Sequence, residues 1–407
     1  MNATKINTPT EQKTKQLHKV WLILILGSLT AFGPLSMDMY LPGLPAVTEE
    51  LKATASLGQL SITTCLLGLA AGQLVFGPLS DLQGRRKPLI ITLILYTITS
   101  LLCGLSTNIW VYVILRFFQG FTGAAGIVIA RASARDLYSG KDLTQFVALL
   151  AIVMGAAPIL APIFGGVILK WMSWQAVFYI LSSFGFIMFL TVIYFLPETL
   201  SEENRINGNV FAVFKSFGTL FTDRTFIGIA FTQAFISMSM FAYIAASPFV
   251  LQNIYNVTPQ QFSFIFAMNG LGIIIAAQVA GRLAHRYEEM TLLLSGILFA
   301  LIGSVLLIIV VFFYLSLWMI MIALFMVVSS VGLVNTTSFS LAMNRQGSVA
   351  GSASAFLGIL PFAGGALVSP LAGIAGENNA VPMGIVIFLC CAFALFIYVW
   401  LVRERRA

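Results

Sequence analysis

Apolar stretches long enough to cross a bilayer follow one another along almost the whole chain, and this limits its possible folds more than any motif does. A helix that spans the hydrocarbon core needs about 20 mainly apolar residues. The sequence offers such windows at 20–41, 56–79, 89–106, 109–131, 143–168, 174–196, 225–249, 260–281, 291–313, 315–339, 350–373 and 382–402. The stretch 291–339 is nearly unbroken and too long for one crossing, so it is divided at Tyr314 to Ser316. Only 9% of the residues are charged and 59% are hydrophobic, whereas a soluble domain carries roughly 25% charged residues. A water-soluble enzyme or nucleic-acid-binding fold is therefore excluded. The sequence predicts an all-α polytopic membrane protein with twelve transmembrane helices.

The net charge of +7 needs no nucleic acid to explain it. Lys and Arg collect in the cytoplasmic loops of membrane proteins. With the N-terminus inside, every basic residue except Lys52, Lys170 and Arg116 falls in an interior segment: Lys5, Lys13, Lys15, Lys19, Arg85, Arg86, Lys87, Arg131, Arg135, Lys141, Arg205, Lys215, Arg224, Arg282, Arg286, Arg345, Arg403, Arg405 and Arg406. Losing one span would invert every later loop, so the bias supports the even count and places both termini in the cytoplasm. The polar, basic start of the chain shows no small-residue cleavage site, so the first apolar run is read as a retained span. Cys65, Cys103, Cys390 and Cys391 lie inside apolar runs without metal-site spacing, and no disulfide framework is implied. His18 and His285 read as surface residues, and no metal site is expected.

The connection from Leu196 to Phe226 separates six spans from six, and equal halves point to an internal repeat. The loops after spans 2 and 8, GPLSDLQGRRKPL from Gly77 and GRLAHRYEE from Gly281, both open Gly-x-Leu-small before a polar position, Asp81 or His285. The expected organisation is two pseudo-symmetric six-helix bundles, 1–200 and 225–407, joined by a cytoplasmic linker at 201–224.

Inside the spans two charges stand out, Asp38 and Arg116. A charge near the bilayer centre costs at least ~2.5–3.5 kcal/mol, so each needs a partner, water or a task. Burial disfavours the ionised carboxyl and a nearby cation favours it. An acid at Asp38 can therefore alternate between charge states as access to the site changes. A plainer reading keeps Asp38 at the outer headgroup boundary, just before LPGLP. Arg116 does not lose its proton and is suited to holding the local potential and biasing proton release from a nearby acid. Arg116, Gln119, Gly120 and Gly123 share one helical face, with the glycines serving helix packing. Walker, HExxH and GxSxG motifs are absent, so neither ATP hydrolysis nor the common hydrolase chemistries have a site. A non-transporting sensor is the remaining competitor, but the central connection is too short for a soluble domain.

The motifs resemble those of the major facilitator superfamily, and within it the proton-coupled multidrug exporters of the bicyclomycin-resistance (Bcr/CflA) type. Gly77-x-Leu79-Ser80-Asp81-x-x-Gly84-Arg85-Arg86-x-x-Leu89 resembles the superfamily's signature loop at every defining position. MDMYLPGLP (Met37 to Pro45) and ARASARD (Ala130 to Asp136) look like the Bcr-type subgroup, and Arg116-x-x-Gln119-Gly120 like the helix 4 motif of proton-coupled members. APIFGG (Ala161 to Gly166) is similar to the antiporter motif of helix 5, with Ala161 where Gly is usual. The resemblance implies proton coupling through Asp38 and Arg116. It also implies a cytoplasmic latch of Gly77, Asp81, Gly84, Arg85, Arg86 and Asp136 that holds the outward-facing state, with Arg85 and Arg86 kept in the cytosol. Pro158, Pro162, Gly165 and Gly166 would form a bent, closely packed seam between the halves that limits leak. Helix 11, GSASAFLGILPFAGGALVSP, has a similar small-residue texture.

Polar and soft side chains in otherwise apolar spans are the candidates for a substrate cavity: Met37, Tyr40, Gln119, Met154, Gln233, Met238, Tyr243, Asn269, Asn335 and Phe356. Methionine and aromatic groups adapt to varied apolar ligands. The expected function is proton-driven export of small hydrophobic or amphipathic compounds, antibiotics included, by alternating access. Export of a physiological metabolite, an amino acid or sugar derivative, is the alternative. Expected partners are the small-molecule substrate, protons and the lipid bilayer, with no cofactor beyond the proton motive force and no nucleic acid. The expected setting is the bacterial cytoplasmic membrane, with the protein a monomer.

Overall fold

The computed structural model describes residues 21–138, 140–205, 223–343 and 350–403. His18, most of the proposed 201–224 linker and the basic residues Lys5, Lys13, Lys15, Lys19, Lys215, Arg345, Arg405 and Arg406 lie outside the described residues. Eleven helices among the described residues are long and apolar enough to cross a membrane, and a bent helix pair brings the total to twelve.

The bent pair is the first crossing, and it corrects the 20–41 window. α1 (Trp21–Thr30) meets the segment Phe32–Glu50 at 41°. That segment contains α2 (Phe32–Asp38), a 3-10 turn at Leu41–Gly43 and α3 (Leu44–Glu50). Pro42 and Pro45 look like stops in the sequence. Each instead occupies the start of a new helical turn, where the missing N–H has no intrahelical partner to lose. The chain thus continues well past the expected end, and Asp38 lies inside the fold rather than at its rim.

The remaining N-terminal helices are α4 (Ala55–Gln83), α5 (Arg86–Leu105), α6 (Ile109–Leu137), α7 (Gly140–Trp171) and α8 (Gln175–Phe195). The second set is α9 (Arg224–Phe249), α10 (Pro259–Leu283), α11 (Glu289–Phe312), α12 (Leu317–Met343), α13 (Ala350–Val368) and α14 (Val381–Ile397). Local sequence sets several starts. The Thr54 hydroxyl caps α4 by accepting from Leu57 N–H, Asn108 caps α6, and Thr258 with Gln261 forms a capping box at α10 that satisfies otherwise unpaired amides. The break between α11 and α12 falls at the expected place, with Tyr314 at φ +48°. α7 runs on through Pro158 and Pro162.

Within the first set α4 packs on α6, α5 on α8, and α2 against α6 and α7. Gly120 makes the α4–α6 contact possible, because a Cβ there would run into the Cys65 carbonyl oxygen. Within the second set α12 packs on α10 and α11, and α9 on α13 and α14. The sets meet along two seams, α7 on α10 and α4 on α13. Among the described residues, the hydrogen bonds that join them lie at one end: Ser56 Oγ to Gly373 O (3.0 Å), Gln252 Nε2 to Pro42 O (3.2 Å) and Gln260 Nε2 to Gly166 O (3.0 Å). The bundles are therefore fastened at the end that carries residues 42–56. The other end carries the α4–α5 turn.

Candidate functional site

Between the bundles is a cavity of about 380 Å³ lined from both sides. Its N-terminal wall includes Gly33, Met37, Asp38, Leu69, Ile127, Met154 and Pro158, and its C-terminal wall Phe241, Tyr243, Phe266, Asn269, Asn335 and Phe362. Five of the proposed substrate residues are thus brought together: Met37, Met154, Tyr243, Asn269 and Asn335. The other five lie off its wall. Met238 packs against Gly364, and Phe356 lies tilted against Phe226 at 6.1 Å between ring centroids. Gln233 is buried elsewhere in α9, and Tyr40 and Gln119 belong to the network around Arg116.

Asp38 is 5% exposed, and its Oδ1 has no hydrogen-bond partner among the described residues. Arg116 is wholly buried but does not line the cavity. Its Nη1 donates to Ser36 O at 2.8 Å and to Gln119 Oε1, and its guanidinium lies over the Tyr40 ring, 4.2 Å from the centroid. Gln119 in turn donates from Nε2 to Ser100 Oγ at 2.9 Å, and the Ser36 and Tyr96 hydroxyls share a 2.6 Å bond. The expectation that Arg116 works beside an acid needs refinement, because it makes no ion pair among the described residues. Instead it holds the backbone of α2 at Ser36, two residues before Asp38. The cation holds the segment that carries the acid and, among the described residues, forms no ion pair with the carboxyl itself.

The signature loop forms a second constellation. Gly84 has φ +88°, a backbone conformation in which glycine carries no steric penalty. The turn directs Arg85 inward. Arg85 is 4% exposed, so its side chain packs among protein groups instead of standing in solvent. Its guanidinium donates to Asp81 Oδ1 at 2.5 Å, Ser80 Oγ at 2.8 Å and Asp136 Oδ2 at 2.8 Å. Arg86 Nη2 donates to Ile193 O at 2.6 Å. Gly77 packs near Val128 of α6.

Glu198 completes this cluster and was missed in the sequence. Its carboxylate accepts from the backbone N–H groups of Arg85 (2.8 Å), Arg86 (3.1 Å), Thr199 (3.0 Å) and Leu200 (3.1 Å). Partial burial pushes its pKa up, yet the four amides together outweigh that and hold it below the ordinary Glu value. All the described bonds of the cluster stay within the first bundle.

In the seam motif, a Cβ at Gly165 would meet the Met39 carbonyl of the same bundle, and one at Gly166 would meet Ser263 across the seam. Pro158 faces the cavity and Pro162 is buried.

Two six-helix sets that enclose one membrane-embedded cavity, each supplying a wall, define a membrane transporter rather than an enzyme. A family model described as Major Facilitator Superfamily matches residues 26–369, and the chain belongs to that superfamily. It is 43% identical over 386 residues to an uncharacterized MFS-type transporter, YdgK, of Bacillus subtilis, covering 94% of this chain and 96% of the relative. It is 30% identical over 383 residues to a bicyclomycin resistance protein homolog of Haemophilus influenzae, again covering 94% and 96%, which bears out the Bcr/CflA-type resemblance. Among solved structures, a bacterial homolog of the human lysosomal transporter Spinster, inward-facing and unoccupied, superposes with a TM-score of 0.75 at 15% identity, covering 95% of this chain and 97% of that one.

Proposed function

We propose that this transporter is a proton-driven exporter of small hydrophobic or amphipathic compounds, antibiotics included, in the bacterial cytoplasmic membrane. The observation that carries the reading is Asp38, an acid on the wall of the cavity between the bundles with a buried oxygen that no described protein group satisfies. An unpaired carboxyl in that setting exchanges a proton whenever its access changes, because neutralisation removes the desolvation cost of the charge. The basic-residue pattern puts both termini in the cytoplasm. On that assignment the fastened end faces outward and the cavity faces the cytosol.

In the proposed cycle, substrate enters from the cytosol and Asp38 releases its proton inward. The bundles then rock so that the cavity opens outward. Outside, a proton returns to Asp38 as substrate leaves, so one proton enters for each substrate exported if no other group titrates. Arg116 positions the acid through Ser36 and keeps its positive charge throughout. The Asp81–Arg85–Asp136 cluster, with Glu198, keeps the cytoplasmic ends of the first bundle together as they move. The relative named for bicyclomycin resistance supports the substrate class.

The test is transport of a labelled drug into proteoliposomes with and without an imposed pH gradient. The wild-type chain should require the gradient, and Asp38→Asn should lose that dependence. Gradient-driven transport by Asp38→Asn at the wild-type rate would overturn the role given to this acid.

A further inference from the structure

The hydrogen-bonding groups of the cavity are divided unequally between the bundles. On the N-terminal wall Asp38 is the only polar side chain among the lining residues, and on the C-terminal wall Tyr243, Asn269 and Asn335 are all polar and all uncharged. An amide in hydrocarbon is costly unless its groups are paired, and bonding between helices is its ordinary use. That use accounts for part of this wall only. Asn269 Nδ2 donates to the Tyr243 hydroxyl at 2.8 Å, which ties α10 to α9. Asn269 Oδ1 remains as an acceptor, while the Tyr243 hydroxyl has Ser247 as a second hydrogen-bonding neighbour. Asn335 Oδ1 takes the Ser237 hydroxyl at 3.4 Å, longer than the about 2.5–3.0 Å of a good O–H···O bond. Its Nδ2 has no partner among the described residues.

The wall therefore offers donors and an acceptor together, without charge. An amide or closely spaced hydroxyls on a ligand would pair with them, whereas a purely lipophilic ligand would leave them unpaired in a dry site, which such sites discriminate against strongly. The volume, about 380 Å³, lies near the lower end of the roughly 300–1,000 Å³ of small-molecule sites, so the ligand is compact. We propose that Asn269, Tyr243 and Asn335 form the recognition surface for neutral substrates bearing an amide or neighbouring hydroxyls, while Asp38 on the facing wall serves the proton. The assignment rests on the exporter reading above, and it places specificity and coupling on different bundles.

The test uses the full-length protein in lipid nanodiscs and two probes. Chloramphenicol is neutral and carries an amide and hydroxyls; tetraphenylphosphonium is a lipophilic cation with no hydrogen-bonding group. Asn335→Leu and Asn269→Leu should each bind chloramphenicol about 5- to 10-fold more weakly and leave tetraphenylphosphonium binding unchanged or tighter. Thermal unfolding reports folding, and Asn335→Ala removes the amide without adding bulk if the Leu variants do not fold. Unchanged chloramphenicol affinity in folded variants overturns the assignment, as does parallel loss of both probes. Binding of neither probe by the wild-type chain overturns the drug reading and this assignment with it. The expected affinity pattern without gradient-driven transport would instead count against the exporter reading and leave the recognition wall supported.

Discussion

Gly166 offers a direct way to bias the transporter between its conformations. It lies on α7 where the helix crosses α10 of the opposite bundle, and its carbonyl accepts from Gln260 Nε2 at 3.0 Å. A Cβ added there would press on Ser263 Oγ and lie 3.1 Å from Ser263 Cβ and 3.3 Å from Pro259 O. Ser263 is not free to swing away without loss, since its hydroxyl donates to Pro259 O at 2.7 Å. Overpacking of one carbon costs about 1–3 kcal/mol, and here the conflict exists only while this end is closed. Gly166→Ala should therefore shift the equilibrium away from the closed form by roughly 5- to 150-fold, at about 1.4 kcal/mol per factor of ten. Spin labels at the exposed positions Ala46 and Ile374, at the fastened end of opposite bundles, would report the shift as a longer distance in pulsed electron resonance. The four native cysteines are buried and leave those labels selective. Ser263→Ala removes the conflicting oxygen and should partly restore the short distance. Gly165→Ala, whose clash with the Met39 carbonyl lies inside one bundle, should lower stability without moving the distance. Identical distance distributions for Gly166→Ala and wild type would refute the reasoning.

Two further perturbations separate positioning from packing. Arg116→Lys keeps the charge but not the position of Nη1, the one nitrogen that serves both Ser36 O and Gln119 Oε1; losing one charge-assisted bond of about 1.5–3 kcal/mol should slow transport tenfold or more with normal membrane insertion. Full drug resistance in cells carrying that variant would contradict it. Glu198→Ala takes the acceptor from four amides, and hydrogen exchange at Arg85 and Arg86 should accelerate, while equal protection in both proteins would sink the assignment. Because the Glu198 carboxyl is held below its ordinary value, its contribution is fully present above the ordinary pKa of about 4.3. That contribution is lost only as pH falls through the lower folded value, so protection of these amides in the wild type should be flat from neutrality down to about pH 5.

Much of this architecture was legible because membrane spans announce themselves by length and composition. The break at Tyr314 and the glycine turn at Gly84 were equally open to local reading, since each rests on residues adjacent in sequence. The misses came from facts that a single helix does not contain. Gln119 shares a helical face with Arg116, but whether that face meets the cavity depends on how α6 is rotated, and it turns toward Ser100 of α5. Glu198 reads as one more loop acid, because its partners are backbone amides, those of Arg85 and Arg86 more than a hundred residues away, which no side-chain pattern marks. The continuation of the first crossing through Pro42 and Pro45 was hidden because proline signals both the end and the beginning of a helix.

The charged side chains buried among the described residues, Asp38, Arg85 and Arg116, all belong to the first bundle. Among the described residues, the second bundle buries no charged side chain. The membrane potential does work of about 2.3 kcal/mol per elementary charge per 100 mV, and it can act within the protein only where a charge is carried. With Arg116 permanently positive, the voltage-sensitive part of the cycle reduces to the proton on Asp38 and whatever charge the substrate brings. Export of a neutral compound against one proton would then be electrogenic, and export of a monovalent cation against one proton would be electrically neutral. The same protein would run on the full proton motive force for one cargo and on the pH gradient alone for the other.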